Sequence, residues 1–298
     1  MKRIIVAIVV MVVMVPCCMV SALAADLAEI QQRGVLRHLG VPYANFVSGS
    51  GDGLDVELLK GFAASIGVRY EYVPADWGTV VQDLAGHKVK VTGGKVEYLE
   101  ETPVKGDLIA NGFTILPWRE KVFTFSEPVF PSQVWLVALA GSKVRPIKPT
   151  GAVDQDIART KALMKGRSVL TLEKTCLDPS LYKLSESGAN VICFKGKLNE
   201  LAPALLKKEA EMTILDFPDA LIALEKWPGR FKVIGPISHK QLMGVAFSKD
   251  AVGLCRAFNQ FLGKSRKDGS YLKIVKKYYP SSVRYFPEFF TGTDYRTQ

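Results

Sequence analysis

A short stretch, Asn111–Arg119, carries the residue types in this chain that could hold a charged ligand; its sequence is NGFTILPWR. An apolar run ends there in a glycine, followed by the hydroxyl of Thr114 and the guanidinium of Arg119. Pro117 suits the first turn of a helix, whose N-terminus presents free backbone N–H groups and a positive dipole end. Because arginine grips a carboxylate through two parallel hydrogen bonds, these donors together predict a carboxylate site. The alternative for this segment alone is a strand–turn–helix with an arginine on the surface.

The elements that must position this stretch alternate between strands and helices. Apolar residues run continuously or alternate in the predicted strands, and they recur at helical spacing in the segments between. The pattern occurs twice, on either side of a proline-containing crossing near residues 140–150. It predicts an α/β fold with open, mostly parallel sheets, whose ligands bind beyond the carboxyl ends of the strands. Two such sheet edges facing each other would form a cleft.

Three further segments need separate predictions. Residues 87–105 alternate around Thr92-Gly93-Gly94, which predicts a β-hairpin inserted between a helix and the next strand. Thr175–Glu186 is predicted as a helix and Met243–Ser248 as one strand. The tail from Pro280, rich in aromatic residues and arginine, is predicted to be extended.

The N-terminus has the composition of a secretory signal peptide. Lys2 and Arg3 precede an unbroken apolar run, Ile4–Val20, and Ser21–Ala24 ends in an A-x-A cleavage motif. We therefore expect cleavage near Ala24 and export to the periplasm. The alternative is an uncleaved anchor, because the run approaches the ~20 residues that span a bilayer.

Composition excludes several classes of function. The chain has 298 residues, 48% of them hydrophobic, which is enough for one or two domains. Its formal net charge is +10, or +8 without Lys2 and Arg3, but the basic residues are scattered and form no nucleic-acid motif. C-x-x-C and H-E-x-x-H patterns are absent and only three histidines occur, so no metal, no cofactor and no nucleic acid are expected.

Three cysteines follow the predicted signal peptide: Cys176, Cys193 and Cys255. Export would permit a disulfide. The expected pair is Cys176–Cys193, because both lie at the ends of successive elements in one region. The odd number leaves at least one thiol free.

Two longer motifs connect the chain to a known family. Asn111–Phe130 contains G-x-T-x-x-x-x-R, and Glu211–Ala220, EMTILDFPDA, has an aspartate two residues before a proline. With these motifs the mature chain resembles, over essentially its whole length, the family 3 periplasmic solute-binding proteins, the polar amino-acid receptors of uptake systems. Other matching segments are Gly34–Arg37, Gly53–Leu58, Asp76–Trp77, Gly106–Ala110 and Lys165–Val169. The region before Arg119 is also similar to the sensor-like lobe of membrane-bound lytic transglycosylases.

The resemblance implies the type II periplasmic binding protein fold. This fold has two lobes joined by a hinge, each an open, mostly parallel sheet flanked by helices. Residues 1–24 would be the signal peptide and 25–138 the first part of lobe 1, with the insertion at 87–105. Residues 139–240 would form lobe 2, and 241–298 would return to lobe 1 and end in helices and a tail.

The resemblance also implies a ligand site between the lobes, and one half of it lies on lobe 1. Arg119 would hold the α-carboxylate of an amino acid, helped by the hydroxyl and N–H of Thr114. Gly112 would offer its carbonyl to the α-ammonium. Tyr43 would supply an aromatic wall, although its loop is shorter than is usual in the family.

The other half of the implied site comes from lobe 2. Asp216 would be the main partner of the α-ammonium, and Thr175 would add a donor to the carboxylate. The chemistry agrees, because a buried zwitterion needs a cationic group at one end and a carboxylate at the other. Glu173–Cys176 departs from the family, since it replaces a glycine-rich turn.

The implied function is the capture of a small zwitterionic solute, an amino acid or a relative, and its delivery to an ABC-type membrane permease. The protein would be a monomer and not an enzyme. One alternative is a periplasmic sensor or accessory subunit that binds a protein or a cell-wall fragment, suggested by the basic surface, the insertion and the aromatic tail. A second is a cyclohexadienyl-dehydratase-like enzyme with Glu173 as the acid. It ranks last, because Asp216 facing Arg119 suits a zwitterion better than a dicarboxylate.

Overall fold

The structure is a computed structural model that describes residues 25–49 and 51–292; the predicted signal peptide lies outside the described residues. The strands are β1 (Val35–Gly40), β2 (Arg69–Pro74), β3 (His87–Thr92), β4 (Lys95–Glu101), β5 (Leu108–Ile109), β6 (Phe123–Phe125), β7 (Phe130–Ser132), β8 (Val134–Leu139), β9 (Ser168–Thr171), β10 (Asn190–Cys193), β11 (Met212–Asp216), β12 (Phe231–Pro236), β13 (Gln241–Met243) and β14 (Ala246–Ser248).

The helices flank these strands. They are α1 (Leu27–Arg33), α2 (Leu54–Ser65), α3 (Val80–Ala85), α4 (Pro117–Val122), α5 (Val153–Ala162), α6 (Leu201–Leu206), α7 (Phe217–Lys226), α8 (Val252–Lys267), α9 (Ser270–Tyr278), α10 (Ser282–Tyr285) and α11 (Pro287–Thr291). Apolar side chains of the sheets and helices form the buried cores.

Two five-stranded sheets form the frame of the described chain. Their orders are β2-β1-β5-β14-β6 and β10-β9-β11-β8-β12. In each sheet four strands point the same way, and only β14 in the first and β8 in the second run against them. The chain reaches β8 and β14 directly from the crossing between the two sheets. Each of these strands therefore begins at the end of its sheet where the other four strands finish. The carboxyl ends of the main strands of both sheets therefore face the crossing between them.

The crossing itself is a two-stranded ribbon of β7 and β13, in which Ser132 pairs with Gln241 and Phe130 with Met243. The chain passes through β7 into the second sheet and returns through β13 to the first. Because β8 begins at Val134 and pairs in the second sheet, we place the boundary between the lobes before Val134 and not at residue 138.

The predicted hairpin within residues 87–105 is present. Strands β3 and β4 pair antiparallel around Gly93 and Gly94, which both have positive φ. The Lys121 ammonium donates to the carbonyl of Gly94 at 2.7 Å and ties the hairpin to α4. Two-residue hairpin turns of this kind favour glycine, which is why the Gly-Gly pair located the turn correctly.

Two element predictions in the second half of the chain are wrong. Thr175–Glu186 forms two short 3₁₀ turns instead of one helix, because the backbone of Lys183 adopts a positive φ of 50° and breaks the run. Met243–Ser248 is two strands, since the N–H of Gly244 turns aside to donate to the carbonyl of Phe113 at 3.0 Å.

The tail from Pro280 was predicted to be extended. Its described part instead forms α10 and α11. Its ring of Phe286 is buried and meets Phe217 of α7 edge-on, with centroids 4.7 Å apart. Phe290 packs on Phe130 of the crossing strand β7. Helices of four or five residues are too short to show a helical period in the sequence, and burial of their aromatic side chains holds them in place.

Candidate functional site

Arg119 lies in the first turn of α4 and is 2% exposed, so the surface alternative is wrong. One guanidinium nitrogen donates to the carbonyl of Thr114 at 2.9 Å, and the group lies 3.8 Å from the centroid of the Phe113 ring. Its Nε has no hydrogen-bond partner among the described residues. Burial lowers the pKa of Arg119 to about 10, and the nearby Cys176 and Asp216 oppose that shift. A buried guanidinium with an unused donor is suited to an anion.

The residues before Arg119 add further unused polar atoms. The hydroxyl of Thr114 is buried and has no partner in the described part of the chain, and neither does the side-chain amide of Asn111. The backbone of Thr114 bridges to Met243 of β13, which fixes this segment against the crossing between the lobes. Buried polar atoms are almost always paired, so a group of unpaired ones calls for an explanation.

Gly112 is held in a conformation that few other residues adopt. Its φ is +61°, and its N–H donates to the Asp55 carboxylate at 2.7 Å. A Cβ at this position would come within 2.5 Å of the Phe46 ring. Burial raises the pKa of Asp55 to about 7, although the hydrogen bond from Gly112 opposes the shift. Asp55 and Phe46 thus position the glycine whose carbonyl was predicted to meet the ligand.

Gly112→Ala is expected to lower the free energy of unfolding by about 2–4 kcal/mol, because it combines left-handed backbone strain with overpacking against Phe46. Urea unfolding measures the change. The matched control is Gly93→Ala, where φ is also positive, +57°, but the added carbon meets open space. There we expect only about 1 kcal/mol. Equal losses in the two variants would show that contact with Phe46 is unimportant.

Asp216 ends β11 and precedes α7 in the second lobe. It stands at the N-cap position, yet its side chain makes no capping hydrogen bond, so helix capping does not account for it. The carboxylate is fully buried; Oδ2 accepts from the Cys176 thiol at 3.1 Å and Oδ1 has no partner among the described residues. Burial raises the pKa of Asp216 to about 6, although the Cys176 thiol and the charge of Arg119 pull it down.

The structure brings Arg119 and Asp216 close enough for each charge to affect the pKa of the other. Arg119 comes from the first lobe and Asp216 from the second. Arg119 Nε and Asp216 Oδ1 both remain unpaired in the described chain. The lobes meet nearby, where the N–H of Ala44 donates to Asn199 Oδ1 at 3.0 Å. A cation of the first lobe and an anion of the second thus lie near each other, each with an unused hydrogen-bonding atom.

Tyr43 is also part of this group. Its ring is buried against Phe46, with centroids 6.0 Å apart, and meets Trp77 edge-on at 5.7 Å. Burial and the charges of Asp216 and Asp219 raise the pKa of its hydroxyl well above the usual range. The hydroxyl therefore lies near carboxylates of the second lobe, while the ring packs within the first.

Thr175 differs from the expectation. Its hydroxyl donates to the carbonyl of Leu172 at 2.7 Å and accepts from the N–H of Leu177 at 3.0 Å. Both bonds close its own loop, so the hydroxyl is occupied. The side chain that this loop sends toward Asp216 is that of Cys176. We therefore replace Thr175 by Cys176 as the contribution of the loop.

The expected Cys176–Cys193 disulfide is wrong, because both residues are free thiols, as is Cys255. Cys193 lies at the end of an edge strand and donates to the exposed Glu173 at 3.1 Å, whereas Cys176 is buried on Asp216. Burial raises the pKa of Cys176 well above its ordinary value, which makes it a neutral donor to the carboxylate.

Sequence reasoning missed four residues of the site: Asn111, Cys176, Tyr182 and Asp219. Tyr182 belongs to it because its hydroxyl donates to the carbonyl of Cys176 and lies near Arg119. Asn111 begins the motif that was singled out. Asp219 follows Asp216 by three residues at the start of a helix, a spacing that places both on one face. Cys176 replaces a residue of the family's glycine-rich turn. The neighbouring Thr175 was predicted as the ligand contact instead, because it carries a hydroxyl. Tyr182 gave no signal, since its segment was predicted as an ordinary helix.

Two other features are absent from the described residues: a metal-binding cluster and a membrane-spanning helix. No group of three or more histidine, cysteine, aspartate or glutamate side chains there could hold a metal ion. No helix in residues 25–49 or 51–292 is long and apolar enough to cross a membrane.

Comparison with known proteins places these features in a family context. The model of the bacterial extracellular solute-binding proteins, family 3, matches residues 94–281, more than half of the chain. A lysine/arginine/ornithine-binding periplasmic protein of Escherichia coli is 25% identical over 81% of this chain and 85% of its own. A membrane-bound lytic murein transglycosylase F of Desulfosudis oleivorans is 24% identical over 76% of this chain. The match covers only 44% of that relative.

Solved structures share the fold. The arginine-bound form of a truncated ArgBP from T. maritima has a TM-score of 0.61 and 24% identity, covering 80% of this chain and 99% of that one. The GluR0 ligand-binding core from Nostoc punctiforme, in complex with L-glutamate, has a TM-score of 0.63 and 19% identity, covering 82% and 99%. These likenesses confirm the predicted two-lobe α/β fold of the type II periplasmic binding proteins.

Proposed function

This chain belongs to the bacterial extracellular solute-binding proteins, family 3, and from that premise we propose that it captures a small zwitterionic solute, an amino acid or a close relative, between its lobes. One observation carries the proposal: Arg119 and Asp216 are buried on opposite lobes, and each has an unpaired atom within the described chain. Leaving one member of a buried ion pair uncompensated costs roughly 3–5 kcal/mol. A zwitterion would compensate both at once.

The α-carboxylate would accept hydrogen bonds from Arg119 Nε and the Thr114 hydroxyl, and the α-ammonium would donate to Asp216 Oδ1. Because the two partners come from different lobes, only the closed form satisfies both ends of the ligand. That difference in interaction energy is what allows binding to drive closure. The ribbon of β7 and β13 joins the lobes and would carry the hinge motion.

Delivery to an ABC-type permease, a periplasmic location and a monomeric state form the rest of the proposal. The family description and the N-terminal sequence support the location outside the cytoplasm. The printed name of the Escherichia coli relative supports amino acids as the ligand class. A dehydratase activity gains no support from the site, since Glu173 is exposed and bonded to Cys193.

A sensor or accessory subunit is the second candidate, and the hairpin of β3 and β4 favours it. Val91 and Tyr98, which lie on the same face of the hairpin, are 38% and 50% exposed there. Such residues often mark protein interaction sites. Co-purification with a periplasmic protein that is lost in Tyr98→Ser would support this candidate.

A thermal-shift screen of the twenty L-amino acids tests the proposed function. A ligand at 100 times its Kd adds about 2.7 kcal/mol of stability. For a chain of this size we expect that to raise Tm by about 5–10 °C for at least one amino acid. A screen in which no amino acid shifts Tm would sink the amino-acid proposal.

A further inference from the structure

A cavity of about 230 Å³ lies between the lobes beside the candidate site. Its wall on the first lobe is the loop of Ala44 and Asn45, directly after Tyr43. On the second lobe it is lined by Asn199, by Leu215 just before Asp216, and by Asp219. The volume is below the roughly 300–1,000 Å³ of pockets for drug-sized ligands. It suits one side chain and not a whole large ligand.

The Asp219 carboxylate is the polar feature of this cavity. The residue is 7% exposed, and its Oδ2 is buried without a hydrogen-bond partner in the described chain. It follows Asp216 by three residues at the start of α7, so the two lie about 4.5 Å apart along the helix axis. A buried, unpaired carboxylate that lines a cavity is the arrangement that holds a cationic group.

The charges around the two carboxylates do not balance. Among the described residues, Arg119 is the one cation whose charge affects Asp216. Four further titratable groups lie close to the pair: Tyr43, Cys176, Tyr182 and Tyr279. These four remain neutral, because burial raises the pKa of each. The Tyr43 hydroxyl lowers the pKa of Asp219 through a hydrogen bond, but it brings no charge. A zwitterion adds no net charge, so it leaves Asp219 without a cationic partner.

Lys226 is the other charged residue of the cavity, and it does not fill this role. It lies two helical turns beyond Asp219 and is exposed. Its ammonium lies over the Trp227 ring, 4.9 Å from the centroid. Lys226 therefore leaves Asp219 without a cationic partner among the described residues.

We propose that Asp219 and the cavity form a subsite for a cationic side chain, so that the solute is an amino acid with a basic side chain. This inference rests on the proposed function, because Arg119 and Asp216 must hold the α-carboxylate and α-ammonium for the side chain to reach the cavity. Burial and the charge of Asp216 raise the pKa of Asp219 well above its usual range. A cationic side chain beside Asp219 would oppose that shift.

Calorimetric titration with pairs of matched probes tests the inference. L-Arginine is compared with L-citrulline, which has the same length but an uncharged end group, and L-lysine with L-norleucine. We expect the wild type to bind each cationic probe at least about 30-fold more tightly than its neutral counterpart, as for a buried charge pair. In Asp219→Asn we expect that ratio to fall below about threefold, because only the cationic probes lose a charge partner.

Lys226→Met is the matched control in the same cavity. Removing a positive charge there should leave the affinity for arginine unchanged or raise it, whereas Asp219→Asn should lower it. Equal binding of arginine and citrulline by the wild type would overturn the subsite and leave the proposed function standing. A uniform loss of all probes in Asp219→Asn, with circular dichroism showing a folded protein, would also overturn it. No binding of any of the four probes by the wild type would overturn the subsite, whereas the proposed function is contradicted only if none of the twenty amino acids shifts Tm.

Discussion

Replacing Arg119 by methionine is expected to weaken amino-acid binding by at least about 100-fold while the protein remains folded. Truncating one partner of a buried, hydrogen-bonded charge pair costs roughly 2–5 kcal/mol of binding free energy. Methionine keeps an apolar chain against the Phe113 ring, which the guanidinium covers at 3.8 Å. Titration calorimetry with the amino acid that gives the largest Tm shift measures the loss.

Stability provides the internal control for this variant. The guanidinium is buried with one hydrogen bond, to the carbonyl of Thr114, and its charge also lowers the pKa of the buried Asp216. Its removal relieves the cost of burying the guanidinium but takes the cation away from Asp216, so the two effects on stability oppose each other. We expect urea unfolding to show that Arg119→Met is folded in the absence of denaturant. Arg119→Lys retains a charge but not the planar pair of donors, and we expect it to recover only part of the affinity. Wild-type affinity in Arg119→Met would exclude Arg119 as the carboxylate partner.

Asp216→Asn is expected to give the second large loss, also at least about 100-fold, because it removes the only charge proposed for the α-ammonium. The effect should depend on pH. In the ligand-free protein burial raises the pKa of Asp216 to about 6, so below pH 6 an ammonium must displace a proton. Wild-type affinity should then fall by up to about tenfold for each pH unit below 6. A neutral side chain such as L-alanine or L-glutamine isolates this effect from Asp219.

The same pKa shift affects the stability of the ligand-free protein, which falls as the pH rises while the affinity for the ligand increases. A carboxyl whose pKa is higher in the folded than in the unfolded chain binds more protons when folded. Ionisation of Asp216 therefore lowers the stability of the ligand-free protein as the pH rises from about 4 to about 6. Asp216→Asn should reduce that fall and flatten the pH profile of binding. An affinity profile that keeps its slope in Asp216→Asn would assign the titration to another group.

Local patterns predicted much of the frame. Glycine pairs fixed the hairpin turn at Gly93, and Pro117 marked the start of α4, because each residue type restricts the backbone at its own position. Predictions failed where tertiary contacts decide. The tail helices depend on the burial of Phe286 against Phe217, and the Thr175–Glu186 segment turns where Lys183 takes a positive φ.

The site was predictable in part for a related reason. Arg119 and Thr114 stand five residues apart in one motif, so the sequence itself associates them. Asp219 looked like an ordinary residue of a helix N-terminus, and only its burial beside the cavity distinguishes it. Likewise, the sequence could not show that the Thr175 hydroxyl closes its own loop while the Cys176 thiol reaches Asp216.

A crystal structure with the amino acid that raises Tm most is the most direct test of a zwitterion held by both lobes. We predict the α-carboxylate within hydrogen-bond distance of Arg119 Nε and the Thr114 hydroxyl, and the α-ammonium on Asp216 Oδ1. An amino acid bound through one lobe alone, or at a place that touches neither Arg119 nor Asp216, would contradict this mechanism.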